Sequence, residues 1–459
     1  MYISNHEPDP DRVFNYDIFT VNVSNARIHQ LTHTESVEYK PKWSPDGKTI
    51  AYLGTHRGLA TLDSNIEDTH VWLMNADGSN RRELGASIDN RQRTHGWTID
   101  GRAILCAVME QGSWTLYRLP IDSGRPDIVL EHLGGWGISW SIGKNGTLAY
   151  STRTRKDLAQ LYLKKGRAAP KQLTDLNESL FSERAVADVE SMVFKSFDAK
   201  QVEAFLTLPL GRTAGSKHPL IVMIKGGPHG QSGPYFNYAA QVFAARGWAS
   251  LTVNYRGSTG YGQAFTDAIF GQRNGAEAKD VMFAVDAAVR RNSWIDSERL
   301  GIQGKSYGGQ LSMWIITQTN RFKAAIPKFG ISNHISFNYM AYFHDFLAAG
   351  FGGYLHQEDL MDLLWEQSAL KHIAKVTTPT MLVHGEDDTV VPIAESEQFY
   401  IALKDVGVET IMVRYPREGH GVTEIGHQID LIERSIDWYE KYFPRQGVEG
   451  DREYSQETD

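Results

Sequence analysis

Three stretches within about the first 180 residues repeat one pattern, in which a tryptophan is followed by a polar turn and an apolar strand. They are WSPDGKTIAYLG from Trp43, WTIDGRAILCAV from Trp97 and WSIGKNGTLAYST from Trp140. Asp-Gly and Asn-Gly pairs in such turns favour hairpins between strands. A period near 45 residues with about four strands per unit is typical of propeller blades, whereas an irregular β-sandwich lacks a fixed period. Residues 1–185 are therefore predicted to form a partial β-propeller of about four blades.

From about Glu190 the pattern changes to strands that alternate with helices. PLIVMIKGG from Pro219 is an unbroken apolar run, as expected of a strand buried on both faces. Similar runs follow at WASLTVNY, RLGIQG, FKAAIPKFG, PTMLVHGE and ETIMVRYP. This alternation predicts a doubly wound, mostly parallel sheet over residues 186–444, with the active site at the carboxyl ends of its strands.

Two segments between these strands have apolar residues at helical spacing. One face is formed by Val281, Ala284, Val285, Ala288 and Val289, and a second by Ile425, Ile429, Ile432, Ile436 and Tyr439. Both faces are expected to pack on the sheet.

The strand RLGIQ leads directly into Gly304-Lys305-Ser306-Tyr307-Gly308-Gly309 and then into an apolar helix. A G-x-S-x-G motif at a strand-to-helix turn is typical of the α/β-hydrolase nucleophile, because small neighbours permit the strained turn that exposes the hydroxyl. A serine that only caps the helix would explain Ser306 but not both glycines. Ser306 is therefore predicted to be a nucleophile.

A serine needs a histidine as base and a carboxylate that orients the histidine, in the chain order Ser, Asp, His. The loop after PTMLV contains Asp387 and Asp388, and the loop after ETIMVRYP contains His420. Both loops lie at predicted strand ends in the required order. The predicted triad is therefore Ser306, His420 and an aspartate. Asp388 is the predicted acid, and Asp387 is the alternative, because spacing alone does not choose between them.

Four other histidines compete with His420. His384 ends a strand and is expected to be a hydrogen-bonded core residue. His427 lies on a helix face, and His218 and His229 both precede the acid loop in the chain. None of the four both follows the acid loop and lies in a loop at a strand end, as His420 does.

The negative charge that develops on the attacked carbonyl requires fixed N–H donors. One is expected from the backbone of Tyr307, directly after the nucleophile. The second is expected from Lys225–Gly230, whose glycines allow close approach of the backbone. The alternative for this loop is an ordinary turn between strand and helix.

Charge and cysteine content limit the partners. The net charge is 47 − 55 = −8 with no basic run, which argues against nucleic acid, and no apolar stretch is long enough to span a membrane. Cys106 is the only cysteine, so neither an intrachain disulfide nor a cysteine-based zinc site can form. No metal or cofactor is predicted.

The absence of a signal segment favours a cytoplasmic location. The chain nevertheless begins inside a predicted blade, as expected of a truncated start. Residues 445–459 are expected to be a disordered tail.

Several motifs together resemble the prolyl oligopeptidase family of serine peptidases, and most closely its acylaminoacyl-peptidase branch. They are KGGPHG, NYRGSTGYGQAF from Asn254, GKSYGGQ, TPTMLVHGEDDTVVP and YPREGHG. The resemblance is strong from about 190 to 443 and looser over the repeats. It implies an α/β-hydrolase domain behind an N-terminal propeller that caps the site and excludes large folded substrates.

The resemblance also assigns residues. The family's acid is the third residue after the glycine of the HG loop, which selects Asp388, and the second glycine of its GGP loop supplies an oxyanion donor, which matches Gly227. The implied site is thus Ser306, Asp388 and His420, with Tyr307 and Gly227 as the oxyanion hole. This chain departs from the family in two features. It has Lys225 where family members commonly have a histidine, and about three of the family's usual seven blades are missing.

The function implied is cleavage of short peptides near their N-terminus through an acyl-enzyme. The sequence leaves open whether that terminus is acylated or carries a free amine, as in a dipeptidyl or aminopeptidase. Glu35 and Glu38 are candidates to bind such an amine, although a solvated face explains them equally. The alternatives are a carboxylesterase on the same triad and a binding protein with an inert hydrolase half. Formation of a homo-oligomer is left open.

Overall fold

The computed structural model describes residues 1–10, 15–57, 67–122, 124–342 and 345–443. The predicted tail, 445–459, lies outside these residues. The described N-terminal part consists of short antiparallel strands: β1 (Tyr2–Ser4), β2 (Asp17–Val21), β3 (Ile28–Gln30), β4 (Glu38–Trp43), β5 (Thr49–Gly54), β6 (His70–Asn75), β7 (Arg82–Glu83), β8 (Gln92–Trp97), β9 (Ala103–Glu110), β10 (Ser113–Pro120), β11 (Asp127–Ile142), β12 (Thr147–Arg153), β13 (Gln160–Lys165) and β14 (Lys171–Gln172).

These strands form consecutive meanders. β1–β3 make a three-stranded sheet and β4–β7 a four-stranded sheet, while β8–β14 are joined in one seven-stranded sheet. The long strand β11 belongs to two meanders, because its first part pairs with β10 and its second part with β12. The described strands thus form four blade-like units in chain order.

The repeated turns share one geometry. Gly47 donates to the Ser44 carbonyl at 3.0 Å, and Gly101 donates to the Thr98 carbonyl at 3.0 Å. In each turn the hydroxyl of the first residue also bonds the aspartate two positions later. The third repeat closes in the same way, with Gly146 donating to Gly143 at 2.8 Å. The sequence repeat is therefore a structural repeat.

The C-terminal part contains an eight-stranded sheet with the order β15-β16-β18-β17-β19-β20-β21-β22. The first two pairings in this order are antiparallel and the others are parallel. Its strands are β15 (Val189–Lys195), β16 (Gln201–Thr207), β17 (His218–Ile224), β18 (Ala249–Asn254), β19 (Ile295–Lys305), β20 (Phe322–Lys328), β21 (Thr380–Gly385) and β22 (Thr410–Tyr415). The predicted α/β-hydrolase sheet is confirmed.

Helices cover both faces of this sheet. The described helices are α1 (Glu178–Ser182), α2 (Tyr238–Ala245), α3 (Gln263–Thr266), α4 (Ala276–Arg291), α5 (Tyr307–Gln318), α6 (His334–Met340), α7 (Asp345–Phe351), α8 (Glu358–Glu366), α9 (Ala394–Asp405) and α10 (Ile425–Tyr442). Alternate residues of β17 point to opposite faces: Leu220 and Val222 pack with α4, α5 and α9, whereas Ile221 packs with α2 and α10. This two-sided burial explains why the strand is continuously apolar.

The predicted apolar face of α10 is correct only for its second half. Ile436 and Tyr439 are buried against the sheet, but Ile425 and Ile429 are 76% and 50% exposed. The helix packs on the sheet only through its later turns. Helical spacing predicts which residues share a face but not how much of that face is covered.

The two parts meet through specific polar contacts. Gln231 accepts a hydrogen bond from the Gly112 N–H at 3.0 Å and donates to the Ser113 carbonyl at 2.6 Å. Arg57 forms a two-pronged ion pair with Asp267 at 2.9 and 2.6 Å. The blades therefore dock directly beside the loop that follows β17. None of the described helices combines the length and apolarity needed to cross a membrane.

Candidate active site

Ser306 occupies a strained turn between β19 and α5. Its backbone angles are φ 59° and ψ −122°, in a region that non-glycine residues rarely adopt. Its N–H donates to the Lys328 carbonyl on the neighbouring strand β20 at 2.9 Å, which fixes the turn. The side chain lines a cavity at the carboxyl ends of the strands. This is the geometry that exposes a serine hydroxyl above an α/β sheet.

The glycines of the motif are required by close packing of backbone. A Cβ at Gly308 would lie 2.1 Å from the carbonyl oxygen of Ile224 at the end of β17. No side chain fits in that gap. The first turn of α5 therefore packs directly against β17, and a serine that merely capped the helix would not need this packing.

Asp388 and His420 form a hydrogen-bonded pair. His420 Nδ1 lies 2.8 Å from Asp388 Oδ2. The other carboxylate oxygen accepts the N–H groups of Val390 and Val391 at 3.0 and 2.9 Å. Asp388 is 6% exposed and bonded to His420, whereas its rival Asp387 is exposed. The geometry thus favours Asp388 as the orienting acid.

The environment of Asp388 keeps it ionised. Burial raises the pKa of this carboxyl group, but hydrogen bonds from His384 and His420 and from backbone N–H groups outweigh burial and lower the pKa to about 2. A carboxylate that is charged at neutral pH can hold the imidazole in one orientation and stabilise its protonated form.

The competing histidines are held by structural contacts. His384 is fully buried, with Nδ1 2.7 Å from Ser396 Oγ and Nε2 2.8 Å from the Val391 carbonyl and 3.2 Å from Asp388 Oδ2. It therefore has the core role that the sequence predicts. His218 bonds Ser216 and a backbone carbonyl, and His427 bonds Glu418. His229 does line the cavity, but burial holds its pKa well below the ordinary value.

The loop after β17 comes close to the nucleophile. A Cβ at Gly226 would lie 2.9 Å from the Lys305 carbonyl oxygen and 3.3 Å from Ser306 Cβ. Gly226 and Gly227 line the same cavity as Ser306 and His420. Tyr307 begins α5, so its N–H is one of the unpaired donors of the first helical turn. The predicted oxyanion donors therefore flank the serine.

The cavity lies between the two parts of the molecule. It has a volume of about 530 Å³ and is lined on the hydrolase side by the serine, the histidine and the glycine loop. The blade side contributes Arg93, Met109, Trp114 and Gly135. A substrate at Ser306 would therefore touch both parts.

Comparison with known proteins identifies the catalytic part. Residues 234–446 match the prolyl oligopeptidase family. Most of the hydrolase domain thus matches this family. The resemblance inferred from the motifs is confirmed.

Two relatives extend this match beyond the hydrolase domain. The chain is 36% identical over 341 residues to "Uncharacterized peptidase YuxL" of Bacillus subtilis, which covers 74% of this chain and 51% of that protein. It is 23% identical over 440 residues to "Dipeptidyl-peptidase 5" of Porphyromonas gingivalis, covering 94% of this chain and 63% of that protein. The chain thus spans between half and two thirds of the length of these curated relatives.

A solved structure supports the whole fold. The acylaminoacyl peptidase of Pyrococcus horikoshii superposes with a TM-score of 0.83 at 25% identity, covering 95% of this chain and 68% of that protein. The predicted fold class, an α/β-hydrolase with an N-terminal propeller-like domain, is confirmed.

The family's Asn-Tyr-Arg-Gly segment has a structural role here that the sequence left unexplained. Arg256 pairs with buried Asp280 on α4 through two of its guanidinium nitrogens and with Asp198 through two contacts at 2.9 and 3.0 Å. The following residues then reach the blades, where Gln111 donates to the Gly260 carbonyl at 3.0 Å. The segment therefore anchors the domain boundary beside the cavity.

Sequence reasoning missed Glu418, two residues before His420. Its buried carboxylate accepts hydrogen bonds from Thr423, from the Glu424 N–H and from His427 at 2.7 to 2.9 Å. These bonds close the loop that holds His420. His427 Nδ1 lies 2.9 Å from Glu418 Oε1 and 3.7 Å from Glu424 Oε2, so this histidine contacts two carboxylates.

Proposed function

We propose that this chain is a serine peptidase of the acylaminoacyl-peptidase type, which cleaves short peptides near their N-terminus. The observation that carries the proposal is the His420–Asp388 pair at 2.8 Å, which shares a cavity with the strained Ser306 and the Gly226–Gly227 loop. Nucleophile, base, orienting acid and oxyanion donors are the parts that acyl transfer needs.

In the proposed mechanism, Ser306 Oγ attacks the peptide carbonyl while His420 Nε2 accepts its proton. The Tyr307 and Gly227 N–H groups bind the oxyanion of the tetrahedral intermediate. His420 then delivers the proton to the leaving amine, and the C–N bond breaks. Water attacks the acyl-enzyme, with His420 again as base, and releases the acyl product. Asp388 stays ionised throughout and holds the imidazole in place.

The preference for a blocked N-terminus follows from the charges around the cavity. A free ammonium group would need a carboxylate partner. Among the described residues that line the cavity there is no aspartate or glutamate. Glu35 is exposed and outside the cavity lining, and buried Glu38 is paired with Arg81 at 2.9 Å. These contacts disfavour both candidate anchors.

The dipeptidyl alternative has the name of one relative in its favour, and the esterase alternative shares the whole triad. Fold and triad do not fix the acyl group. A substrate set separates the three. We expect acetyl-alanyl p-nitroanilide to be cleaved faster than the free-amine form. Cleavage of a nitrophenyl ester without cleavage of any anilide would favour the esterase.

The remaining expectations about the chain's setting stay predictions. We propose short peptides as partners, without nucleic acid, and a cytoplasmic location. A homo-oligomer is a further hypothesis that size-exclusion chromatography with light scattering would test. Monomer mass at micromolar protein concentration would contradict it.

A further inference from the structure

The charged side chains that line the cavity above Ser306 are all basic among the described residues. Arg93 comes from the blades, and Lys225, Lys305 and Lys328 come from the hydrolase domain. Lys40 extends this charge outward, because its Nζ donates to the Arg93 carbonyl at 3.4 Å. A cavity with one sign of charge and no carboxylate attracts anions.

Lys328 lies beside the nucleophile on the neighbouring strand. It ends β20, and its carbonyl oxygen accepts the Ser306 N–H at 2.9 Å. Its side chain is half-buried and lines the cavity. Within the described part of the chain, its Nζ has neither a hydrogen-bond acceptor nor a carboxylate partner. Holding an ammonium group in such a place is costly unless a ligand supplies the missing partner.

The two neighbouring lysines are held in place. Lys225 Nζ donates to the Pro228 carbonyl at 2.6 Å and lies 4.1 Å from the centre of the Tyr255 ring. Lys305 Nζ lies 5.6 Å from the centre of the Phe329 ring. These contacts fix the positions of the ammonium groups without neutralising them.

The pKa values of the cavity lysines agree with ammonium groups that have no hydrogen-bonded carboxylate. Burial lowers the pKa of Lys225 to about 7 and that of Lys328 to about 8. Burial also lowers the pKa of Lys305, which the charge of Asp388 partly offsets. A bound carboxylate would stabilise the protonated lysines.

We propose that this cavity selects peptide substrates that carry a carboxylate, which Lys328 binds directly while Lys225, Lys305 and Arg93 keep the surrounding potential positive. The inference rests on the proposed function and names the substrate class of the same site. The carboxylate has two sources in a short peptide: an acidic side chain beside the scissile bond, or the C-terminus of the leaving fragment.

Two matched peptide pairs distinguish these sources. Calorimetric titration of the Ser306→Ala protein measures binding without turnover. The first pair is acetyl-Glu-Ala-amide and acetyl-Gln-Ala-amide, and the second is acetyl-Ala-Ala as free acid and as amide. We expect the carboxylate member of at least one pair to bind about tenfold more tightly. Equal affinities within both pairs, or no binding by any of the four peptides, would overturn the inference.

Lys328→Met tests the assigned contact. It should reduce the tenfold ratio to about parity, and Lys328→Arg should retain it. Lys323→Met is the matched control, because this exposed lysine lies on the same strand and faces Glu298 at 3.9 Å; it should leave the ratio unchanged. A ratio that persists in folded Lys328→Met protein would remove Lys328 from the proposal. Should that variant not fold, Lys328→Gln replaces it.

Turnover by the unmodified enzyme separates this inference from the proposed function. Carboxylate selectivity in the Ser306→Ala protein, with no cleavage of any peptide by the unmodified chain, would contradict the peptidase function and leave the carboxylate site standing. Cleavage of both members of each pair with equal kcat/KM and equal affinity would overturn the carboxylate site and leave the peptidase function standing.

Discussion

The two parts of the molecule contribute different things to one cavity. The hydrolase domain supplies Ser306, His420 and the glycine loop, all from turns at the carboxyl ends of parallel strands. Among the described residues, the blades supply Arg93, Met109, Trp114 and Gly135. None of these four can act as a nucleophile or base at neutral pH. The reacting groups therefore come from one part, and the opposite wall comes from the other.

We therefore expect the reacting groups to set the rate of the chemical step and the domain boundary to affect substrate binding. Loops at the ends of a parallel sheet are held by the strands on both sides, so they can keep reacting groups in fixed geometry. The blade side lines the cavity but contributes no reacting group among its described lining residues. Substitutions of the reacting groups should therefore change kcat, and those at the domain boundary should mainly change KM.

Replacing the nucleophile should have the largest effect. Ser306→Ala is expected to lower kcat by about 10⁴-fold or more, because alanine lacks the hydroxyl that attacks the carbonyl. Steady-state kinetics on acetyl-alanyl p-nitroanilide would measure it. Ser297→Ala, at an exposed serine of β19, is the control and should retain full activity. A kcat within tenfold of the unmodified value would exclude Ser306 as the nucleophile.

The choice between the adjacent aspartates gives the next effect. Asp388→Asn is expected to lower kcat by about 10³- to 10⁴-fold, because the amide no longer orients and stabilises the imidazole. Asp387→Asn should change kcat less than about twofold, since that side chain is exposed and away from His420. If the two variants lost activity in the opposite order, the acid would be Asp387.

The domain boundary should affect binding more than chemistry. Gln231→Ala removes the hydrogen bonds to Gly112 and Ser113 that fix the blades beside the cavity. We expect KM to rise about fivefold with kcat nearly unchanged. Gln201→Ala, an exposed glutamine of β16, provides the control. A large loss of kcat with unchanged KM would contradict the separation of the two roles.

The smallest predicted effect is a pH dependence of carboxylate preference. Burial lowers the pKa of Lys225 to about 7 and that of Lys328 to about 8, so both lose charge as the pH rises through this range. The kcat/KM ratio of acetyl-Glu-Ala-amide to acetyl-Gln-Ala-amide should fall about threefold from pH 6.5 to 9.

The groups around the cavity other than the lysines do not produce this trend. Arg93 stays charged, and burial keeps His229 neutral. His420 acts alike on both peptides and so does not enter the ratio, and Lys305 would change the ratio in the same direction as Lys225 and Lys328. A ratio that rises or stays flat over this range would argue against lysine recognition.

Much of the hydrolase domain was predictable because its signals are local. An apolar strand, a G-x-S-x-G turn and an apolar helix are contiguous in sequence, and parallel strand ends meet at one edge of the sheet. The order of the acid and histidine loops then predicts a triad, with the choice between the two aspartates left open. The propeller-like part was predictable from the repeated turns, whose shared hydrogen bonds the structure shows.

What the sequence could not reveal depends on contacts between distant segments. Asp387 and Asp388 are neighbours in the chain, and only burial and the bond to His420 distinguish them by geometry. Lys328 is an ordinary strand-end residue until β20 is placed beside β19. Glu418 gains its four hydrogen bonds only when the chain turns back into α10.

The most direct test of the central claim is kcat/KM for alanyl p-nitroanilide with and without an N-acetyl group, with the Ser306→Ala protein as blank. We expect Ser306-dependent cleavage that clearly favours the acetylated substrate, because no carboxylate lines the described cavity. Preference for the free amine would contradict the acylaminoacyl assignment. Cleavage that persists in Ser306→Ala would contradict the site itself.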